Sequence, residues 1–202
     1  FVEWAVNHGH TVFVISYRNP DASMADTTLE DYLVHGPRAA IDVITEITGS
    51  PKVNVVAVCL GGSLATMLLA YLAAVEDDTV GAVTLLNTLV DFNEPGALGA
   101  FTDRSTVERL EKRLQKDGVL SADEMARTFD LLRPDDLVFN YVARNWLLGE
   151  QPPAFDMLAW NADSTNMPAA MHSFYLRACY LENRLAEGRL ELCERQLDLS
   201  KI

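Results

Sequence analysis

Long apolar runs, basic residues and cysteine are all scarce in this 202-residue sequence, and each scarcity excludes a class of protein. No apolar stretch reaches the roughly 20 residues that a membrane-spanning helix needs, and the N-terminal residues do not have the pattern of a secretory leader. With 16 Lys and Arg against 29 Asp and Glu, the formal net charge of −13 argues against nucleic acid or an anionic membrane as a partner. The odd number of cysteines, three, does not indicate a disulfide framework, so we expect a cytoplasmic protein.

The apolar and charged fractions, 49% and 22%, are ordinary for a globular protein with one core and an insertion. Three apolar, β-branched runs predict strands buried on both faces of a parallel sheet: residues 11–16, 53–58 and 80–86. Helical patterns separate them, at residues 28–49 with an interruption at Pro37 and at residues 64–75. This alternation predicts an α/β fold with a doubly wound parallel sheet.

The pattern changes after residue 92, where no further clear strand follows. Helices are predicted at residues 104–116, 121–132 and about 168–185, among loops rich in aromatic residues. An insertion at this point of the chain predicts a mostly helical cap over a site at the sheet edge.

Cys59 lies where the second apolar run ends and a helical pattern begins with Leu60-Gly61-Gly62-Ser63. This is the layout of a nucleophile elbow, in which small residues two positions either side of the nucleophile, here Ala57 and Gly61, permit a tight strand-to-helix turn. The backbone N–H of Leu60 would then form part of an oxyanion hole. A thiol at this position predicts acyl transfer through a thioester. A cysteine in an apolar strand can also be a small buried hydrophobe, but its place at the strand end favours the elbow.

Four stretches of the sequence resemble class I poly(3-hydroxyalkanoate) synthases in the same order along the chain: residues 9–23, 53–62, 132–138 and 153–166. The resemblance implies an α/β-hydrolase core, partial and truncated at both ends, with a helical cap. It further implies a partial core at residues 1–92, a cap at 93–195 and the start of the return to the core at 196–202. The chain departs from the family at Ala57, where glycine is usual, and at Phe174, where many relatives have tryptophan.

The resemblance also implies an acyltransferase that polymerises (R)-3-hydroxyacyl-CoA, with 3-hydroxybutyryl-CoA as the expected substrate, and releases CoA. Cys59 matches the family's nucleophile, and no cofactor or metal is implied. The catalytic Asp and His are expected beyond Ile202, so residues 1–202 alone should be inactive. The implied partners are the growing polyester chain, a second copy in a homodimer and a polyester granule surface.

Other candidate residues have more ordinary interpretations. His8 and His10 are interpreted as solvated turn or helix-cap residues, and His35 lies in the helix before the second strand. His172 is interpreted as a core or interface residue, with a position over the site as the alternative. Asp91 is a weak candidate for a displaced catalytic acid, with a turn or helix cap as the alternative, and Asp163 is interpreted as a loop former. Cys179 and Cys193 lack an elbow context and zinc spacing and are interpreted as structural.

Two other functions remain open for this sequence. One is a thioesterase or esterase of the same fold, in which water accepts the acyl group. The other is a non-catalytic domain that associates with granules or with a synthase. Aromatic residues predicted in the cap would suit core packing first, and also an apolar tunnel or an association surface: Trp146, Phe155, Trp160, Tyr175 and Tyr180.

Overall fold

The computed structural model of this protein describes residues 1–132, 138–151 and 163–202. Phe155, Trp160 and parts of two of the quoted family stretches lie outside the described residues. The chain divides into two compact units, which we call the first unit (Phe1–Arg18, Leu29–Asn93 and Glu182–Ile202) and the second unit (Asn19–Thr28 and Glu94–Leu181). The predicted segments 1–92, 93–195 and 196–202 stay a prediction of domain organisation.

The helices and strands follow the predicted alternation from residue 28 to residue 86. The α-helices are α1 (Val2–Asn7), α2 (Leu29–Leu33), α3 (Ala39–Thr48), α4 (Leu60–Ala74), α5 (Arg104–Asp117), α6 (Ala122–Leu132) and α7 (Ala169–Tyr175). The strands are β1 (Val53–Val58), β2 (Val80–Leu86), β3 (Val119–Leu120), β4 (Met167–Pro168), β5 (Glu191–Leu192) and β6 (Arg195–Gln196). Short π-helical turns lie at Val34–Arg38, Val142–Leu147 and Leu176–Leu181, and 3₁₀ turns at Ala22–Met24, Gly96–Phe101 and Leu199–Lys201.

β1 and β2 form a parallel pair, with Val55 opposite Val83 and Val58 opposite Leu86. Both strands have the predicted bounds, and parallel strands joined by a helix confirm the α/β class. On β1 the odd-numbered residues are less exposed than their neighbours. The prediction of strands buried on both faces is wrong for the described residues, since Val56 and Leu86 are 51% and 43% exposed.

The predicted strand at residues 11–16 is wrong for this structure. The segment belongs to no helix or strand, and Val14 is 70% exposed. β-branched residues favour an extended chain, but a strand exists only where its backbone groups pair with a neighbouring strand. Among the described residues, β1 pairs with β2 and with no other strand.

The helices of the first unit end where the sequence predicts breaks. The predicted interruption at Pro37 is confirmed, because the backbone at Gly36 is non-helical and α3 begins only at Ala39. α3 ends at Gly49, which takes the left-handed conformation with φ of 67°. α4 begins at Leu60, earlier than the predicted residue 64, so the helix starts directly after Cys59.

α4 is the centre of the first unit. Most of its residues from Gly62 to Leu72 are buried, including Met67 and Leu68 at 0% and 1% exposure. It contacts both strands and the C-terminal turn Leu199–Lys201. A helix buried on most sides holds its N-terminus rigidly, and that terminus carries the candidate nucleophile.

The second unit contains the predicted helices α5, α6 and α7 and one feature that the sequence did not indicate. Two-residue strands β3 and β4 pair antiparallel, with Val119 opposite Pro168, in a region predicted to have no strand. The third predicted helix ends its last π-helical turn at Leu181 rather than at residue 185. Strands this short leave no periodic signal in a sequence.

Candidate active site

Cys59 stands between the end of β1 and the first turn of α4, with φ of 54° and ψ of −125°. A positive φ is unfavourable for a residue with a side chain and persists only where the surroundings enforce it. Here the Cys59 N–H donates to the carbonyl of Leu86 at 3.0 Å, and the Cys59 carbonyl accepts from the N–H of Gly62 at 2.9 Å. The strand pair and the helix therefore hold Cys59 in this conformation, and its side chain is exposed.

The N-terminus of α4 provides hydrogen-bond donors next to the thiol. The first N–H groups of an α-helix, here those of Leu60 and Gly61, have no acceptor within the helix. They also lie at the positive end of the dipole of a 15-residue helix. A negatively charged oxygen that develops beside Cys59 can accept a hydrogen bond from the Leu60 N–H.

The glycine that packs tightly in this turn is Gly62, not the expected Gly61. A Cβ added at Gly62 would lie 1.9 Å from the Thr88 hydroxyl oxygen, so the Thr88 side chain or the helix would have to shift. At Gly61, an added Cβ meets no atom of the described residues within 4 Å. The elbow pattern in the sequence identified the turn, but the close contact comes from a loop more than 20 residues away.

The loop that follows β2 completes the surroundings of the elbow. It begins at Asn87, which has a positive φ of 46° and directly follows the strand residue whose carbonyl accepts from Cys59. The Ser63 hydroxyl donates to the Leu89 carbonyl at 2.6 Å. This loop is therefore bound to the first turn of α4, a connection that the sequence did not indicate.

Asp91 lies at the end of this loop and is engaged in a turn. Its Oδ1 accepts hydrogen bonds from the Asn93 N–H at 3.0 Å and from the Asn183 side-chain amide at 2.8 Å. These bonds, the Asn93 N–H first, lower the pKa of the Asp91 carboxyl below its usual range. They are the bonds of a turn-forming carboxylate.

The histidines of the first unit lie on its surface. The His8 ring packs on the Trp4 ring with centroids 4.0 Å apart, and its Nδ1 lies 2.7 Å from the Trp4 carbonyl oxygen. His10 is exposed, and the His35 side chain is 78% exposed, 4.0 Å from Asp31. Among the described residues, the Cys59 thiol has no hydrogen-bonded base.

His172 belongs to α7 in the second unit and is 6% exposed. Its burial lowers the pKa of the imidazole to about 4, and its Nδ1 has no hydrogen-bond partner among the described residues. Cys179, in the π-helical turn that continues α7, is fully buried. These environments are those of packing residues.

Cys193 lies in the turn between β5 and β6, half-buried, with φ of 52°. Its N–H donates to the Glu30 carboxylate at 2.8 Å. Burial, followed by the negative charges of Glu30 and Asp31, raises the pKa of the Cys193 thiol. Within the described ranges, no three His, Cys, Asp or Glu side chains come together in a group that could bind a metal.

Comparison with known proteins shows which fold family the chain belongs to. The family model of the α/β-hydrolase fold matches residues 4–181, and the chain therefore belongs to this family. The match agrees with the parallel strands and with the elbow geometry at Cys59.

Relatives that are similar along the whole chain are more specific. The chain is 45% identical over 201 residues to a poly(3-hydroxyalkanoate) polymerase of Methylorubrum extorquens, covering 100% of this chain and 33% of that protein. It is 44% identical to the poly(3-hydroxyalkanoate) polymerase subunits PhaC of Rhizobium meliloti (strain 1021) and of Cupriavidus necator, covering all of this chain and 33% and 35% of theirs. The resemblance to polyhydroxyalkanoate synthases is confirmed, and the chain spans about a third of the length of these relatives. Among the described helices, none is long and apolar enough to cross a membrane.

Proposed function

We propose that this chain is the nucleophile-bearing part of a polyhydroxyalkanoate synthase, an acyltransferase that polymerises (R)-3-hydroxyacyl-CoA with release of CoA. The observation that carries the proposal is the geometry of Cys59, an exposed thiol with a left-handed backbone between a parallel strand and the buried helix α4. Similarity along the whole chain to proteins named poly(3-hydroxyalkanoate) polymerase supports the same reaction.

In the first step, the Cys59 thiol loses its proton to a base and its sulfur attacks the thioester carbonyl carbon of the acyl-CoA. A carbon–sulfur bond to the protein forms, and the electron pair of the carbonyl moves onto its oxygen, which accepts a hydrogen bond from the Leu60 N–H. The intermediate then collapses, the bond to the CoA sulfur breaks, and CoA leaves as a thiolate that takes up the proton. One thioester replaces another, so this step has little thermodynamic cost.

In the second step, the hydroxyl oxygen of another 3-hydroxyacyl group attacks the acyl carbon on Cys59. An ester bond forms, the carbon–sulfur bond breaks, and the hydroxyl proton passes by way of the base to the sulfur. The base and its carboxylate partner are the His and Asp that the family resemblance implies beyond Ile202. Without them, residues 1–202 alone should not turn over, and no cofactor takes part.

From the predicted cap at residues 93–195, we also propose that the part in the second unit, residues 94–181, forms a cap and that its exposed apolar side chains contact polyester or a second copy of the chain. Trp146, Leu147 and Leu148 are 81%, 77% and 70% exposed, which is a large apolar surface for neighbouring residues. Replacing Trp146 by Ser should reduce co-sedimentation of the full-length protein with polyester particles. Unchanged co-sedimentation and unchanged dimer content would exclude Trp146 from both contacts.

The test of the reaction is CoA release from (R)-3-hydroxybutyryl-CoA by the full-length protein. Cys59→Ala should lower the rate by about a thousandfold or more, because the nucleophile is lost. Cys193→Ala is the matched control, since it removes a thiol outside the elbow and should leave the rate unchanged. The product is checked for insoluble polyester.

Each outcome selects one function. CoA release with polyester, lost in Cys59→Ala and kept in Cys193→Ala, supports the synthase. Release that gives only soluble 3-hydroxy acid would identify a thioesterase of the same fold. No release from a folded, full-length protein would indicate a non-catalytic, associating domain.

A further inference from the structure

Asn183 is a buried asparagine of the first unit that lies outside the elbow. It is 6% exposed, and both ends of its side-chain amide are occupied. Its Oδ1 accepts the backbone N–H of Phe92 at 2.9 Å, and its Nδ2 donates to Asp91 Oδ1 at 2.8 Å. Asn183 also has a positive φ of 44°, a conformation that asparagine tolerates better than most residues.

These two bonds join distant parts of the chain. The chain leaves the first unit after Asn93 and returns to it at Glu182, so Asn183 binds the departing segment at the point of return. The Phe92 side chain is 1% exposed, and its N–H is a buried donor that needs an acceptor. The amide is costly to lose because the buried Phe92 N–H is then left without its acceptor, whereas the exposed Asp91 carboxylate can bind water instead.

The segment that Asn183 binds is the loop beside the nucleophile. At its start, the Leu86 carbonyl accepts from the Cys59 N–H at 3.0 Å. In its middle, the Leu89 carbonyl accepts from the Ser63 hydroxyl at 2.6 Å. At its end, Asn183 holds Asp91 and Phe92. The loop from Asn87 to Phe92 is thus attached to the strand end, to the first turn of α4 and to Asn183.

We propose that Asn183 is a positioning residue for the acyl transfer at Cys59, acting by holding the Asn87–Phe92 loop against the elbow. The hydrogen bonds of the Asn183 side chain go to Phe92 and Asp91 rather than to the thiol. Its amide keeps the loop that binds the Cys59 backbone and the first turn of α4 in one arrangement, and small displacements of a reacting group reduce the rate of the chemical step strongly. This inference rests on the proposed function of Cys59.

An exchange of the two side chains tests the proposal. In Asn183→Asp, the new carboxylate can still accept from the Phe92 N–H, but it faces the Asp91 carboxylate without a donor between them. In the double variant Asp91→Asn with Asn183→Asp, the amide and the carboxylate have exchanged places, and between these two side chains a donor again faces an acceptor. The Asn93 N–H, which binds the same Asp91 oxygen as Asn183 does, loses that acceptor in the double variant. Asn7→Asp, at an exposed position of α1, is the control for the added charge.

In the full-length protein, we expect Asn183→Asp to lower kcat for CoA release by about tenfold with KM changed by less than about twofold. We expect the double variant to recover part of this loss, since the Asn93 N–H stays without its acceptor, and Asn7→Asp to behave as the unchanged protein. A kcat for Asn183→Asp equal to that of the unchanged protein would overturn the proposal. A folded double variant that stays as slow as Asn183→Asp would overturn it as well.

A second readout does not depend on the reaction. The rate at which iodoacetamide alkylates Cys59, followed peptide by peptide by mass spectrometry, should change by about threefold or more in Asn183→Asp and return in part in the double variant. If the protein releases no CoA at all, the proposed function fails while this measurement still tests the loop. An unchanged alkylation rate would then overturn the role of Asn183. If Asn183→Asp does not fold, Asn183→Gly, which permits the positive φ and removes only the amide, is judged by the same criteria.

Discussion

Acid should destabilise this protein through His172. The imidazole is 6% exposed and its burial lowers the pKa to about 4, from an ordinary value of 6.5. Between these two pKa values the unfolded chain binds a proton that the folded chain does not, so the free energy of unfolding falls as the pH falls from 6.5 towards 4. The full effect below pH 4 is about 3 kcal/mol, and at pH 5 it is about 2 kcal/mol.

Replacing the histidine isolates this effect from the titration of other groups. His172→Phe removes the titration and keeps a ring in the core, so its packing cost should be the same at every pH. Urea unfolding followed by circular dichroism at pH 8 and pH 5 gives the free energy of unfolding of both proteins. We expect the stability of the variant relative to the unchanged protein to rise by about 2 kcal/mol between pH 8 and pH 5.

His35→Gln is the matched control, because the His35 side chain is 78% exposed. Its stability relative to the unchanged protein should vary little over the same pH range. If the relative stability of His172→Phe changes by less than about 0.5 kcal/mol between the two pH values, the buried, uncharged state of His172 is refuted.

Two pairs of glycine substitutions should test where close packing, rather than backbone conformation alone, requires glycine. Gly62→Ala should lower the thermal midpoint clearly, since its Cβ would lie 1.9 Å from the Thr88 hydroxyl, whereas Gly61→Ala should not; equal midpoints would contradict the packing described here. Gly118→Ala should destabilise more than Gly49→Ala in urea unfolding. Gly118 has a φ of 78° and Gly49 a φ of 67°, so both substitutions strain the backbone. Only at Gly118 would the added Cβ also lie close to another backbone, 3.2 Å from the Ala22 Cα. The reverse order would contradict this contact.

Much of the first unit could be predicted from local patterns. The bounds of β1 and β2 are those of two apolar, β-branched runs, and α3 ends at a glycine in the left-handed conformation. Cys59 could be identified because a strand, a nucleophile, two glycines and a helix follow each other directly in the chain. Each of these signals depends on residues within about one helical turn of each other.

The loop beside the elbow could not be predicted in this way. Asn183 is 91 residues from the N–H that it accepts and 92 from the carboxylate to which it donates. The Ser63 bond to Leu89 also joins residues 26 positions apart. No local pattern identifies an asparagine that binds a distant backbone group. The same residues around Asn183 would be equally compatible with an asparagine in an exposed turn.

By itself, the sequence determined the α/β class, the strands β1 and β2 and the position of Cys59, since strand propensity, helix breaks and the elbow spacing act over a few residues. Only the tertiary structure decided that residues 11–16 pair with no described strand, that Gly62 rather than Gly61 is closely packed, and that Asn183 holds the loop beside the nucleophile. These features depend on which distant segments meet when the chain folds. Strand pairing and close packing require both segments to be in contact, so neither segment's own sequence indicates them.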